Sequence, residues 1–139
     1  MRPLEPATIR LTDLLGGVVL GPGDGRVGRI ADLVVTLDDV FPAVHEVVLR
    51  THRGRTPVAV PVDRFTTLAP GGTRIDAPPG EAAPGPGLLL QRDVLDTQVV
   101  DTTGRRLARV ADVDLTWQDG VLRVIAVDVG WRAILRRLG

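Results

Sequence analysis

Short apolar runs alternate with polar or glycine-containing turns over most of the chain. The run LLGGVVL at 14–20 precedes the turn GPGDG and a longer run that begins at Val27. An acidic turn, LDD, then leads into a second alternating run, HEVVLR. Val27, Ile30 and Leu33 also fit a helical spacing, but the β-branched VVTLD that follows favours a strand that twists or bulges midway. This pattern predicts strands.

Two further pairs of strands follow in the first half of the chain. The segment HEVVLRTHRGRTPVAVPV predicts two strands joined by a turn at Arg53 and Gly54. Pro57 and Pro61 cannot donate ladder hydrogen bonds, so the second of these strands should lie at a sheet edge or contain a break. FTTLAPGGTRIDA predicts a last hairpin around its Gly-Gly pair. The first half thus supplies about six short strands, enough to close a small barrel.

The second half repeats this pattern and then stops short. A shift of 80 positions places GRIADLVVTLDD at 28–39 on ARVADVDLTWQD at 108–119 and aligns Asp32 with Asp112. The second copy has no counterpart of TPVAVPVDRFTTL. Three strands alone leave an open edge and a half-covered apolar face. The first barrel, a second copy of the chain or downstream sequence must cover that face.

A proline- and glycine-rich segment separates the two copies. APPGEAAPGPG at 77–87 contains no large apolar side chain and predicts a flexible linker. The expected fold class is all-β, and the expected domains are a complete small barrel at 1–77, a linker at 78–87 and an incomplete repeat at 88–139.

The last ten residues, GWRAILRRLG, have a helical pattern. The spacing of Trp131, Ile134, Leu135 and Leu138 predicts a short C-terminal helix with one apolar face. We expect this helix to cover the open half-barrel, and docking to a partner or adsorption to an anionic membrane surface are the alternatives. The candidate interaction residues are Trp117, Trp131, Arg132, Ile134, Leu135, Arg136, Arg137 and Leu138. Trp117 is included because an exposed tryptophan in the acidic turn of the second copy would mark a contact surface.

The composition argues against catalysis and against a nucleic-acid partner. The chain contains no Cys and no Ser, and its 17 arginines balance 17 acidic residues. A hydrolase would therefore need a mechanism for which no partner group is evident. A nucleic-acid-binding protein is expected to be more basic. We expect no enzyme activity and no cofactor.

The titratable residues have structural explanations. His45 and His52 lack a third ligand at a recognisable spacing, so a metal site is not expected. Asp32 and Asp112 are expected to accept backbone N–H bonds where the strand bends, or to pair with the arginine three residues earlier. Binding of a cation or a basic partner is the alternative. Solvated turn positions are expected for Asp38, Asp39 and Asp119, with Mg²⁺ binding as the alternative.

The sequence resembles the PRC-barrel domains. In the first half the resemblance runs from 11 to 76 through LLGGVVLGPGDGRVGRIADLVVTLDD, AVHEVVLR and VAVPVDRFTTL. The second half matches about half of the family's pattern, through DVLDTQVVDTTGRRLARVADVDL and LRVIAVDVG. The tail GWRAILRRLG also resembles the N-terminal cytoplasmic region of some MgtE-type magnesium transporters. This resemblance implies a barrel followed by an incomplete copy.

The expected function is that of a cytoplasmic, non-catalytic interaction or regulatory module. No apolar segment is long enough for a signal peptide or a membrane span. A protein partner or a downstream domain is expected, and two incomplete second repeats are expected to complete each other as a homodimer. A ribosome- or RNA-associated maturation factor of the RimM kind is one alternative. A sensor of a small ligand or divalent ion is the other.

Overall fold

The computed structural model describes residues 7–52, 54–100, 103–104 and 106–133, with residues 106 and 131–133 described by their backbone alone. This part of the chain forms two β-sheets with only short helical turns, which confirms the all-β prediction. Its strands are β1 (Ile9–Arg10), β2 (Val18–Leu20), β3 (Arg26–Val35), β4 (Val44–Thr51), β5 (Val58–Pro61), β6 (Phe65–Ala69), β7 (Gly72–Ile75), β8 (Leu88–Leu89), β9 (Gln98–Val100), β10 (Arg106–Gln118) and β11 (Val121–Ala133). Helical turns are α1 (Leu11–Leu14), 3₁₀ turns at Pro22–Asp24 and Val62–Arg64, and a π-helical turn at Leu90–Val94.

The first sheet contains the six strands expected for the first repeat. Their order is β5-β4-β3-β2-β7-β6, and β8 adds to β3. The two outermost strands, β5 and β6, are joined by the turn Val62–Arg64, so the ends of the sheet come together as in a small barrel. Strand β5 lies at an edge of this order, as its prolines predict. The long strand β3 has a register shift between Ile30 and Asp32, which confirms the predicted bulge.

The second sheet is built on a long hairpin. β10 and β11 pair along their whole length and turn through Asp119 and Gly120, whose φ angles of 51° and 78° fit a two-residue hairpin turn. The short strands β1 and β9 pair with the opposite side of β10. The order β1-β10-β11 leaves β11 at the edge.

The helix predicted for the last ten residues does not begin at Trp131. Residues 131–133 continue β11, where Trp131 and Arg132 lie opposite Ala108 and Leu107. The prediction was wrong for these positions because the backbone of β10 offers ladder hydrogen bonds that a local apolar spacing does not reveal. The remaining predicted residues, Ile134, Leu135, Arg136, Arg137 and Leu138, lie outside the described part of the chain.

The two repeats exchange their first elements. We call residues 9–14, which form β1 and α1, the first hook, and residues 88–94, which form β8 and the π-helical turn, the second hook. The first hook pairs with β10 of the second repeat, through Ile9 opposite Leu115. The second hook pairs with β3 of the first repeat, through Leu88 opposite Val35. Leu115 and Val35 are equivalent positions, 80 residues apart, so the exchange is reciprocal.

The exchange produces one shared hydrophobic core. Buried side chains of both repeats, including Leu11, Leu33, Leu90 and Leu115, belong to a single cluster. The linker is bonded to the first repeat: Ala59 N donates to the Ala82 carbonyl at 2.7 Å, Gly85 N to Glu46 Oε1 at 2.8 Å, and Arg64 Nη2 to the Pro78 carbonyl at 3.3 Å. The division into units at 1–77 and 88–139 stays a prediction. In the structure, the hook of each unit pairs with a strand of the other unit.

Candidate interaction surface

A buried carboxylate fastens the second hook to the first repeat. Asp32 is 5% exposed and lies just after the bulge in β3. Its Oδ1 accepts hydrogen bonds from Leu33 N at 2.8 Å and from Gln91 N at 2.7 Å, and its Oδ2 accepts one from Arg92 N at 3.1 Å. The carboxylate therefore satisfies the N–H groups at the start of the π-helical turn. Arg29 does not pair with it and donates to the Gly16 carbonyl.

Asp112 performs the same role for the first hook. It too is 5% exposed, and its oxygens accept bonds from Val113 N, Thr12 N and Thr12 Oγ1 at 2.9, 3.1 and 2.5 Å. Burial raises the pKa of Asp112, but the hydrogen bonds from Thr12 and Val113 and the charge of Arg10 outweigh it and hold the pKa below 3.8. The sequence prediction that these repeated aspartates accept backbone N–H bonds is confirmed. Apart from the next residue of its own strand, each aspartate bonds to groups of the hook from the opposite repeat.

Acid is expected to remove the contribution of Asp112 to stability. Because its folded-state pKa lies below the unfolded value of 3.8, this contribution is complete above that pH and is lost as the pH falls through the folded-state pKa. The melting temperatures of the wild type and Asp112→Asn should differ at neutral pH and converge below about pH 4. A difference of the same size at neutral and acidic pH would contradict this role of the carboxylate.

The second hook forms part of an apolar groove on the surface. The groove has a volume of about 270 Å³, and every residue that lines it is apolar. One wall is the loop between β3 and β4, the floor contains residues of the second hook, and the other wall is the first half of β11. In that order, the main lining residues are Leu37, Val40, Phe41, Pro42, Leu88, Leu90, Val94, Val124, Ile125, Ala126 and Val127.

Large apolar side chains at the groove are open to solvent. Val40 is 84% exposed, Leu37 is 70% exposed, and Phe41 and Val127 are each almost half exposed. Exposed apolar residues scattered singly are ordinary, but a contiguous patch beside a groove is typical of a contact surface. An arrangement of this kind is suited to burying the apolar side chains of a partner.

Polar contacts fix the loop that displays these side chains. Arg123 Nη1 donates to the Phe41 carbonyl at 2.9 Å and lies 3.4 Å from Asp39 Oδ2, while Val124 N donates to the Pro42 carbonyl at 2.8 Å. The loop is thus anchored to β11 on the opposite side of the groove. Its apolar side chains are exposed on a backbone that is already held in place, which lowers the entropy cost of binding.

Polar and charged residues form a rim beside the β3–β4 loop of the apolar groove. Thr36 Oγ1 lies 2.8 Å from Asp38 Oδ1 and 2.6 Å from His45 Nε2. The hydrogen bond from Thr36 lowers the pKa of Asp38, so this exposed carboxylate is ionised at neutral pH. An apolar centre with a polar, ionised rim is the usual composition of a protein-interaction surface.

Trp117 does not show the exposure that would have marked a contact surface at this position. It lies within β10, is partly buried against the core, and its Nε1 is 3.4 Å from the Leu68 carbonyl of β6. It therefore packs between the two sheets. The exposed large residue is Leu37, which occupies the equivalent position of the first repeat.

The groove residues were missed by the sequence analysis, although a signal was present. The segment DDVFPAV places Val40 and Phe41 directly after two aspartates in a predicted turn. Turn residues are usually polar, so large apolar side chains there indicate either burial or a contact surface. In the structure Val40 and Phe41 are exposed, which favours a contact surface over burial in the core.

The predictions for the histidines rest on the alternation of their strand. Val44 and Val47 are buried and His45 is exposed, as predicted, but Val48 and Leu49 are buried as well, so the strand does not alternate strictly. Among the described residues, no three His, Cys, Asp or Glu side chains are grouped as a metal site. No helix in this same part of the chain is long and apolar enough to cross a membrane.

The comparisons with known proteins support the PRC-barrel family. The model of the PRC-barrel domain matches residues 86–135, which cover the second hook and strands β9 to β11. The matched segment is the second repeat, where the sequence had predicted only half of the family's pattern. No curated protein and no solved structure matches the chain.

Proposed function

We propose that this protein is a non-catalytic, PRC-barrel-type interaction module that holds a protein partner in the apolar groove. The exposed, anchored patch formed by Leu37, Val40 and Phe41 beside β11 is the observation that supports it. Burial of this patch by apolar side chains of a partner supplies the affinity, and the rim of Asp38, Asp39 and Arg123 orients the partner.

The tandem arrangement and the relationship to MgtE-type transporters are part of the same proposal. The reciprocal hook exchange supports two homologous repeats, since both hooks pair with equivalent positions of β3 and β10. The resemblance of the tail to the cytoplasmic region of MgtE-type transporters makes a regulatory contact in the cytoplasm the preferred setting. The ribosome-associated and ion-sensor alternatives stay predictions that no observation here favours.

Charges placed in the groove are expected to abolish partner binding. The double variant Leu37→Asp/Val40→Asp changes two exposed side chains, so its melting temperature should stay close to that of the wild type. Affinity capture with immobilised protein, followed by titration of each purified captured protein, should show at least a roughly tenfold loss of affinity.

The matched control is Thr66→Asp/Thr67→Asp, which adds the same two charges to exposed positions of β6. This control should bind partners as the wild type does. If the groove variant and the control bind equally well, the groove is not the contact surface.

A further inference from the structure

The outer edge of β11 lacks the strand that covers its counterpart in the first repeat. The counterpart, β4, pairs with β5 from Glu46 to Leu49. In the described part of the chain, β11 has only the bridge between Ala43 and Arg123 on that side, near its start. The missing strand changes the burial of equivalent residues: Val47 on β4 is 0% exposed, whereas Val127 on β11 is 47% exposed.

The first repeat shows which peptide groups of β11 point outward. Pro61, which has no N–H, lies opposite Glu46, and Ala59 N turns away from β4 to bond Ala82. Opposed residues of antiparallel strands alternate between bonded and non-bonded pairs, so Val47 and Leu49 are the positions that bond to β5. Their equivalents, Val127 and Val129, therefore direct their N–H and C=O groups to the open side.

In the part of the chain that the structure describes, no strand pairs with β11 at Val127 or Val129 on this outer side. Their N–H and C=O groups are therefore open to pairing with a partner strand.

We propose that the partner is β11 of a second copy, paired antiparallel across a two-fold axis beside Gly130. From 127 to 133, only the odd-numbered residues direct their N–H and C=O groups outward. Each must lie opposite an odd-numbered residue of the other copy. The two-fold axis therefore passes beside a residue and not between two residues. An axis at Asp128 would set two aspartates opposite each other. The axis at Gly130 sets Asp128 of each copy opposite position 132 of the other, which is an arginine. This assembly joins two second sheets into one continuous sheet.

The first test is the solution mass. Light scattering and sedimentation of the full chain, from micromolar to millimolar concentration, should show a species of twice the 14.9 kDa chain mass. The Val129→Pro variant removes one outward N–H and keeps the ladder to β10, so it should stay monomeric over the same range. A wild type that is monomeric throughout, or a variant that dimerises as the wild type does, would overturn the proposal.

The second test addresses the register and does not depend on one variant. Asp128→Arg and Arg132→Asp each place like charges opposite each other and should be folded monomers by circular dichroism. Mixed together, the two variants restore opposite charges at both positions and should form a heterodimer of twice the chain mass. If both are folded and the mixture stays monomeric, the Gly130-centred register is wrong.

The edge and the groove share Val127, but the two proposals can be tested separately. The variant Leu37→Asp/Val40→Asp should remain dimeric while it loses its partner, and Val129→Pro should remain able to bind the partner while monomeric. If one of these two results is not obtained, the proposal tested by the other variant still stands.

Discussion

Asp32→Ala is expected to lower the free energy of unfolding by about 3 kcal/mol. The substitution leaves Leu33 N, Gln91 N and Arg92 N without their acceptor, next to the core. Each unsatisfied buried group costs about 1–3 kcal/mol, and water entering from the exposed side of Gln91 recovers part of the sum. For a domain of this size, the expected fall in melting temperature is roughly 10 °C.

Two variants make this expectation specific. Asp32→Asn keeps one acceptor oxygen and should lose clearly less stability than Asp32→Ala in chemical denaturation. Asp63→Ala removes an exposed aspartate from the Val62–Arg64 turn and should leave the midpoint unchanged. Equal losses for Asp32→Ala and Asp63→Ala would show that the hook does not depend on the carboxylate.

The strands of the first repeat were predictable because their pattern is local. Alternation and β-branched residues indicate β3 and β4, proline indicates the edge position of β5, and the Gly-Gly pair indicates the β6-β7 hairpin. The change from helical spacing at Val27, Ile30 and Leu33 to the β-branched VVTLD also predicted the bulge of β3, beside which the structure places the buried Asp32.

The exchange of the hooks was not predictable from the same patterns. IRLTDLL and LLLQRDVL have similar apolar positions, and each would suit either repeat. The choice between the two arrangements depends on how the chain connects and on the packing of the shared core. The partners of Asp32 are for this reason Gln91 and Arg92, about sixty residues away, which no local rule identifies.

The candidate surface was only partly predictable, for a related reason. Apolar residues at helical spacing in the tail indicated a contact element, but the first of these positions, Trp131, continues β11. The edge that β11 exposes follows from the missing counterpart of β5, which the sequence did reveal. The groove required the structure, because Leu37 and Leu88 lie 51 residues apart and meet only through the exchanged hook.

Leu11→Ala is expected to destabilise both repeats together, by about 2–5 kcal/mol. Leu11 belongs to the first repeat in sequence, is 0% exposed, and lies on the hook that packs against β10. Its removal leaves a cavity in the core that the two sheets share, so the repeats should unfold in one transition. Both tryptophans, Trp117 and Trp131, lie in the second sheet, and Trp117 also contacts β6 of the first. Fluorescence therefore reports the second sheet and its contact with the first, while far-ultraviolet circular dichroism reports both sheets.

Denaturant curves from the two signals should coincide in the wild type and shift together in Leu11→Ala. Leu37→Ala is the matched control, because Leu37 is 70% exposed and its truncation should cost less than about 0.5 kcal/mol. If the fluorescence transition separates from the circular dichroism transition, the two sheets unfold independently and the hooks do not couple them. Coincident curves would instead mean that each repeat depends on the element it receives from the other, because a hook that left its partner strand would open the common core of both.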